Sequence, residues 1–213
     1  MLKRRLFLLL AVLLPLLGFA QAKSVPYFSQ IGGTSKLDAD WTVYNVNGDE
    51  KTWINDASPS NYSSITAVKV TAGAKYLYNT KADANDWLVS PAIHLEADKE
   101  YKVSFYVKTS GSFKESLRLA VANANTADAM ATKSETLLDF PELTEKTFVK
   151  KSVVYVARES GDYYFGLYEY SKKDLYNVFV TAFSVAENIT TPAPVTGLTA
   201  TEGANEAITV DLK

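Results

Sequence analysis

Hydrophobic and polar residues alternate along most of this chain, most regularly in the stretch Tyr101–Lys108. Every second residue there is a tyrosine, phenylalanine or valine, and the residues between them are mainly lysine and serine. A period of two is typical of an antiparallel strand with one buried face and one solvated face. The preceding apolar stretch, Asp86–Ser90, is also strand-like. It stops at Pro91, which suits a strand end because proline has no N–H to donate.

Similar short stretches, separated by turns rich in Gly, Asn, Asp and Ser, predict strands over most of the remaining chain. They are Val25–Gln30, Trp41–Val46, Lys51–Asn55, Ile65–Val70, Lys75–Asn79, Glu115–Ala122, Glu135–Phe140, Thr147–Ala157, Tyr163–Tyr170 and Tyr176–Glu187. Only Asn123–Lys133 favours a short helix. The pair Lys150-Lys151 breaks the alternation of its strand, which fits either a bulge or a solvated crossing. Long crossover helices are absent from the pattern, so the chain is predicted to be all-β, an antiparallel sandwich or barrel.

The two ends of the chain differ from this pattern. Residues 1–22 combine the basic Lys3, Arg4 and Arg5 with an apolar run and an Ala-x-Ala site, which predicts a signal peptide cleaved after Ala22. The run is too short for the roughly 20 residues of a membrane span, so no span is expected after cleavage. At the other end, residues 189–194 form a Pro/Thr linker between the main domain, 23–188, and residues 195–213, which predict two short strands.

The composition limits which partners and cofactors are expected. Lys and Arg number 22 against 24 Asp and Glu, which gives no electrostatic reason to expect nucleic acid as a partner. The chain has no cysteine, so disulfides and thiolate metal sites are excluded. An exported protein without cysteine suggests a bacterial envelope. The single histidine, His94, is expected to be a surface or packing residue.

Several of these segments together resemble the cleaved adhesin, or choice-of-anchor J, modules of bacterial surface and secreted proteins, including the haemagglutinin regions of gingipain-type proteases. The segments are Trp41, Trp53, Asp86–Ile93, Tyr101–Phe105, Gly161–Gly166 and Phe183–Val185. The most specific part is the D-W-L-x-[ST]-P-x-I signature, here carried by Asp86, Trp87, Leu88 and Pro91. The resemblance implies an antiparallel jelly-roll β-sandwich related to carbohydrate-binding modules. The segment 195–213 is similar to the start of a fibronectin type III domain.

Calcium is the one cofactor that the sequence leaves open. The resemblance implies a structural calcium near an acidic pair in the last strand, but this chain has Thr181-Ala182 there, and neither residue supplies a carboxylate. Asp38, Asp40 and Asp49 are weak calcium candidates because carboxylate oxygens are ligands that calcium prefers. A polar hairpin turn is the alternative interpretation of that region.

Aromatic side chains and their polar neighbours are the candidates for ligand binding. They are Trp41, Tyr44, Asn45, Trp53, Tyr168 and Tyr170. The alternative is that the tryptophans fill the core and the tyrosines reflect strand propensity. For Trp87 we expect a position in the sandwich core beside Leu88 and Val89.

These features predict a secreted or cell-surface, non-catalytic adhesion or binding module, monomeric, for a glycan or a host or matrix protein. Two alternatives stay open. One is a structural spacer in a larger multidomain surface protein. The other is an accessory module of a secreted protease or glycosidase.

Overall fold

A computed structural model describes residues 21–189 in full, together with the backbone of residues 199–202 and 208–211. The predicted signal peptide, apart from residues 21 and 22, and most of the predicted linker lie outside the described residues.

Almost all regular structure in the described residues is strand. In chain order the elements are β1 (Tyr27–Ser29), β2 (Thr42–Asn45), β3 (Trp53–Asp56), α1 (Pro59–Tyr62), β4 (Gly73–Tyr76), β5 (Asp86–Val89), β6 (Ile93–Leu95), β7 (Glu100–Thr109), β8 (Glu115–Ala122), a π-helical turn (Ala129–Lys133), β9 (Glu135–Leu143), β10 (Val149–Val156), β11 (Gly161–Glu169), β12 (Val178–Glu187), β13 (Thr199–Glu202) and β14 (Ile208–Asp211).

These strands form two antiparallel sheets that pack face to face. The first sheet has the order β10-β7-β12-β4-β3, with β1 also paired to β12. The second has the order β2-β5-β11-β8-β9, with β6 also paired to β11. Apart from β3 with β4 and β8 with β9, neighbouring strands in each sheet are not consecutive in the chain, as expected of a sandwich in which many successive strands change sheets. The predicted all-β jelly-roll sandwich is confirmed.

The core lies between the two sheets and is filled by the inward row of each strand. In β7 the alternating apolar residues of Tyr101–Lys108 are fully buried, as predicted. Phe165 of β11 and Phe183 of β12 meet across the sheets with ring centroids 5.8 Å apart. Trp41 packs edge-on against Phe183 at 5.3 Å. Aromatic side chains therefore hold the two sheets together.

One local prediction is wrong. The segment Ile65–Val70 forms no strand, because Ile65 and Val70 are buried against Tyr62 of α1 and Ala182 rather than in a sheet row. Of the two interpretations of Lys150-Lys151, the solvated position fits the structure, whereas the bulge of this sheet lies in β12, between Thr181 and Ser184, with Ala182 at a φ of +51°.

The strand β10 pairs with β7 without interruption. It tolerates Lys150 and Lys151 because it is an edge strand, where Lys151 reaches Glu145 and the ring of Phe140. A charge on an edge strand also discourages pairing with another chain.

Beyond the sandwich, β13 and β14 pair antiparallel. The fibronectin type III assignment of residues 195–213 stays a prediction.

Candidate functional site

The D-W-L signature occupies β5, a short inner strand of the second sheet. Asp86 and Leu88 point between the sheets, and Leu88 joins the main core. Trp87 is buried, with 3% of its surface exposed, but it lies on the outer face of the sheet. Of its two expected neighbours, Trp87 therefore packs with Val89 on the outer face and not with Leu88 in the core between the sheets, because residues adjacent in a strand point to opposite faces.

The end of β5 explains why the signature contains serine and proline. Pro91 interrupts the pairing of β11, which continues with β6. Ser90 compensates, because its Oγ accepts a hydrogen bond from the N–H of Phe165 at 3.0 Å while its own N–H donates to the Phe165 carbonyl at 2.9 Å. The signature thus shapes the strand that carries Trp87.

Trp87 is covered by the segment between β8 and β9. Met130 and Ala129 of the π-helical turn pack with Trp87 in a second apolar cluster on the outer face. Gly166 of β11 lies beneath them, where a Cβ atom would be 2.7 Å from Trp87 Cε3 and 2.8 Å from Met130 Sδ. Glycine is required here by the close approach of the indole and the thioether.

Three stacked rings extend from this cluster towards solvent, and we call Trp87, Tyr168 and Tyr170 the aromatic row. Trp87 and Tyr168 stack with centroids 4.4 Å apart, and Tyr168 and Tyr170 stack at 5.5 Å. The guanidinium of Arg118 lies 5.9 Å from the Tyr168 centroid and 5.2 Å from the Tyr170 centroid. Stacking and the cation–π contacts fix the two half-buried tyrosines in place.

Polar groups at the edge of the aromatic row are hydrogen-bonded to one another. The Tyr170 hydroxyl donates to Asp139 Oδ1 at 2.5 Å, and Arg118 donates to Asp139 Oδ2 at 3.3 Å. Partial burial opposes ionisation of Asp139, but the hydrogen bonds from Tyr170 and Arg118 lower its pKa. Burial, followed by the contact with Asp139, raises the pKa of Tyr170 to about 12. Asp139 is therefore an anion and Tyr170 a neutral donor at neutral pH.

Tyr168 and Tyr44 place two more hydroxyls at this face. Tyr168 donates to Asn85 Oδ1 at 3.0 Å, and Tyr44 donates to the Asn125 carbonyl at 2.7 Å. Burial raises the pKa of both tyrosines. The ring faces that stack against one another in the aromatic row are not accessible to a ligand. Ring edges, hydroxyls, Arg118 and the carboxylate are therefore the groups that remain available to a ligand.

A cleft of about 450 Å³ opens beside Tyr164 of β11, and Asn125 is among its lining residues. Asp40 lies in this cleft, where it forms an ion pair with Lys23 at 2.6 Å. Asn125 lines the cleft and also accepts the hydrogen bond from Tyr44, so the cleft borders the outer face of the second sheet.

The other aromatic candidates have different positions. Trp41 and Trp53 are buried, with 6% and 2% of their surface exposed. Trp41 donates from Nε1 to Ser29 Oγ at 3.2 Å, and Trp53 donates to the Asp86 carbonyl at 3.4 Å. Their rings are not accessible as stacking platforms. Asn45 is half-buried and donates from Nδ2 to the Asp49 carbonyl.

The structure does not bring the three calcium candidates together. Asp38 and Asp40 precede β2, whereas Asp49 follows it and accepts hydrogen bonds from Asn47 and Asn79, both at 3.0 Å. Nowhere in residues 21–189 do three acidic or histidine side chains converge on one metal position.

The Thr181-Ala182 position also does not fit a calcium ion. Thr181 is fully buried, and its Oγ1 lies 2.8 Å from the Ala72 carbonyl and 3.2 Å from the Gln30 carbonyl. The neutral hydroxyl of Thr181 is within hydrogen-bond distance of these carbonyl oxygens, and neither Thr181 nor Ala182 supplies a carboxylate to compensate the charge of a cation.

Sequence reasoning missed Arg118 and Asp139. The only signal is in β8, where Arg118 is the one cation among alternating leucines, so it faces away from the core. Asp139 could not be found in this way because its position depends on the register of β9 with β8.

This fold defines a class, the jelly-roll modules that include bacterial adhesin domains and carbohydrate-binding modules. Among solved structures, the chain is similar to the K1 cleaved adhesin domain of Lys-gingipain from Porphyromonas gingivalis, with 15% identity and a TM-score of 0.58 over 77% of this chain and 99% of that domain. The K3 domain of the same protein matches with 16% identity and a TM-score of 0.56, over 75% of this chain and 96% of that domain.

A carbohydrate-binding module also matches. TmCBM61, solved in complex with β-1,4-galactotriose, has 13% identity and a TM-score of 0.52, over 70% of this chain and 90% of that module. No family model and no curated protein matches the chain. The similarity to solved structures therefore establishes the fold, and the resemblance to cleaved adhesin domains is confirmed at that level.

Proposed function

We propose that this protein is an exported, non-catalytic binding module that recognises a glycan through the outer face of its second sheet. The observation that carries the proposal is the fixed group of the aromatic row, Arg118 and Asp139. It joins rigid rings to a cation, an anion and phenolic hydroxyls at the surface. The fold, shared with adhesin and carbohydrate-binding modules, supports a binding role.

The chemistry of this face suits a ligand rich in hydroxyl groups. Asp139 accepts hydrogen bonds, Arg118 donates them and Tyr170 does both, so each can pair with a sugar hydroxyl. The tyrosine edges offer apolar contact beside them. Because the rings are already stacked and hydrogen-bonded, little side-chain entropy is lost on binding.

Export to the cell surface is part of the same proposal and depends on the predicted signal peptide. No helix among the described residues is both long enough and apolar enough to cross a membrane.

A glycan array with residues 23–213, in the presence and absence of calcium chloride, tests the proposal. We expect binding to a restricted set of glycans, including β-1,4-linked oligosaccharides as a starting panel. Tyr170→Ala should weaken that binding at least about tenfold, as for a residue central to an interface.

The matched control is Phe28→Ala, which removes an exposed aromatic ring from the other sheet and should leave binding unchanged. Absence of binding to every glycan, with capture of a purified matrix protein instead, would show that the ligand is a protein. Absence of both would favour the spacer role.

A further inference from the structure

The strand β10 ends the first sheet and leaves one long edge of that sheet unpaired. It pairs with β7 through consecutive register positions from Val149 to Val156, and β7 is its one partner strand among the described residues. The backbone N–H and C=O groups on the free side of an edge strand can pair with another strand. Because β10 contains no proline, it presents an uninterrupted row of such groups.

The other three edge strands of the sandwich are better protected than β10. Strands β2 and β3 have only four residues each. In β3, Asn55 exchanges two hydrogen bonds with the backbone of Gly33, at 2.9 and 3.1 Å, so a loop lies against that edge. Strand β9 contains Pro141 and two register shifts. Short strands, covering loops, bulges and prolines all discourage edge pairing. In β10 the protection is limited to Lys150 and Lys151, both in its first half.

The second half of β10, Ser152–Val156, has no charged residue and an exposed apolar surface. Val154 and Val156 point outwards, with 46% and 45% of their surface exposed. On the inward row Val153 is only half-buried, as is Leu137 of β9 across the open side of the sandwich. A groove of about 540 Å³ lies between these parts of the two edge strands. A strand added to β10 would cover apolar surface that the groove leaves open to water.

The two ends of β10 have charges of opposite sign. Near its beginning, Lys150 is exposed and forms no ion pair with another described residue. At its other end, Asp98, Glu135 and Arg158 line the groove, and Glu100 is the register partner of Val156 on β7. The groove lining and Glu100 thus hold three acids and one base. A strand that pairs antiparallel with β10 should therefore carry a cation near its own beginning.

The sequence of β10 itself meets this requirement, with its two lysines near its beginning and apolar residues after them. If Val153 lies opposite Val153 of a second copy, outward residues lie opposite outward residues, as a continuous sheet requires. In that register Lys150 lies opposite Val156 of the second copy, next to Glu100 of the second copy. A register centred on Lys151 would place lysine opposite lysine and is disfavoured. The lysines therefore select the register and do not prevent pairing.

We propose that two copies of this chain pair through β10, antiparallel about Val153, and form a symmetric dimer in place of the monomer expected from the sequence. The first sheets of the two copies then form one continuous sheet, with two equivalent Lys150–Glu100 contacts, because a two-fold interface uses the same surface of both copies. The two-fold axis is perpendicular to this sheet, so both aromatic rows face the same way. Simultaneous binding through both rows is a consequence that rests on the proposed function, whereas dimerisation itself does not.

Sedimentation equilibrium of residues 23–213 tests the proposal without any ligand. A range of about 1 to 500 μM suits the weak association expected of a small interface, and we expect a reversible monomer–dimer equilibrium. Val154→Lys puts a charge at the centre of the pairing edge and should weaken dimerisation at least about tenfold. The matched control is Ile54→Lys, because Ile54 is an exposed residue of β3, the opposite edge of the same sheet. It should leave dimerisation unchanged.

An exchange of charges tests the register of the pairing. Lys150→Glu and Glu100→Lys should each weaken dimerisation roughly tenfold, because each places like charges side by side. A double variant with both changes restores opposite charges at both contacts and should recover most of the affinity. A double variant that dimerises more weakly than either single variant would overturn the proposed register.

Two results would overturn the dimer itself. One is a protein that stays monomeric over the whole concentration range. The other is a dimer that Ile54→Lys disrupts and Val154→Lys does not, because that dimer would use the β3 edge. Glycan is absent from these measurements, so dimerisation and glycan binding succeed or fail separately.

Discussion

The two faces of the second sheet invert the usual distribution of side chains at one end of the sandwich. On the inner face, Asp86 and Glu169 are buried between the sheets. On the outer face, their chain neighbours Trp87, Tyr168 and Tyr170 form the aromatic row. Most sandwiches place apolar rows inside and polar rows outside. Where local rules are broken on both faces of the same strands, a functional constraint is the expected cause.

The two faces also differ in the interactions that stabilise them. The outer face is stabilised by packing, because Trp87, Met130 and Gly166 form a close apolar cluster there. At the end of the sandwich where Asp86 and Glu169 lie, the inner face is stabilised only if these carboxyl groups are neutralised. Substitutions on the two faces should therefore respond differently to pH.

Trp87→Ala should have the largest effect. It removes a buried indole from the outer cluster, and loss of a large buried aromatic side chain costs about 3–5 kcal/mol. Urea unfolding should show this loss equally at acidic and at neutral pH, because the indole does not titrate. A loss that changes with pH would mean that the two faces are energetically coupled rather than independent.

Gly166→Ala should rank second. The added methyl group would meet Trp87 and Met130 at less than 3 Å, and overpacking of this kind costs about 1–3 kcal/mol. Because the added methyl group would displace Trp87 of the aromatic row, glycan affinity should fall as well. As a control, Gly161→Ala lies in the same strand with open space around it and should change stability little.

The pH dependence of stability isolates the inner face. The pKa values of Asp86, Glu115 and Glu169 are raised on folding, so the folded state binds more protons than the unfolded state above pH 4 to 4.5. Their contribution is fully present below the unfolded pKa values and is lost as pH rises through the folded ones. A tenfold change in the proton affinity of one group on folding corresponds to about 1.4 kcal/mol of stability.

Other acids act in the opposite direction and require a difference measurement. The pKa of Asp139 and that of Glu145 are lowered on folding, so their contributions grow as pH rises from the acid range. Urea unfolding from pH 4.5 to 8 in EDTA, compared between the unchanged protein and Glu169→Gln, cancels them. A pH slope that is the same in both proteins would contradict buried, titrating acids.

The sequence predicts the buried row of Tyr101–Lys108 better than the two faces of Asp86–Val89. Alternation in Tyr101–Lys108 identifies a strand and its buried row because one face is polar. In Asp86–Val89 both faces are covered, so alternation cannot tell which side is the core, and the side chain of Trp87 was predicted on the wrong one. Its cover, the π-helical turn, is only five residues long, and its docking depends on tertiary contacts.

The candidate site was harder to predict for a related reason. Tyr168 and Tyr170 could be selected by their residue type, but Arg118 and Asp139 join them only through the pairing of β11 with β8 and of β8 with β9. Likewise Asp86 and Glu169 are 83 positions apart and become neighbours through strand register. Strand pairing between distant segments is set by the whole fold and not by local pattern.

Arg118→Lys should have the smallest effect and gives the finest test of the outer face. Arginine reaches Asp139 and both tyrosine rings with one planar group, whereas lysine offers a single point charge. Loss of a partly exposed cation–π contact costs about 0.5–1 kcal/mol, so glycan affinity should fall roughly two- to fivefold. Lys108→Met removes the matching cation from the rings of Phe148 and Phe179 on the other sheet. It should leave affinity unchanged, and equal losses in the two variants would show that the outer face of the second sheet has no special role in binding.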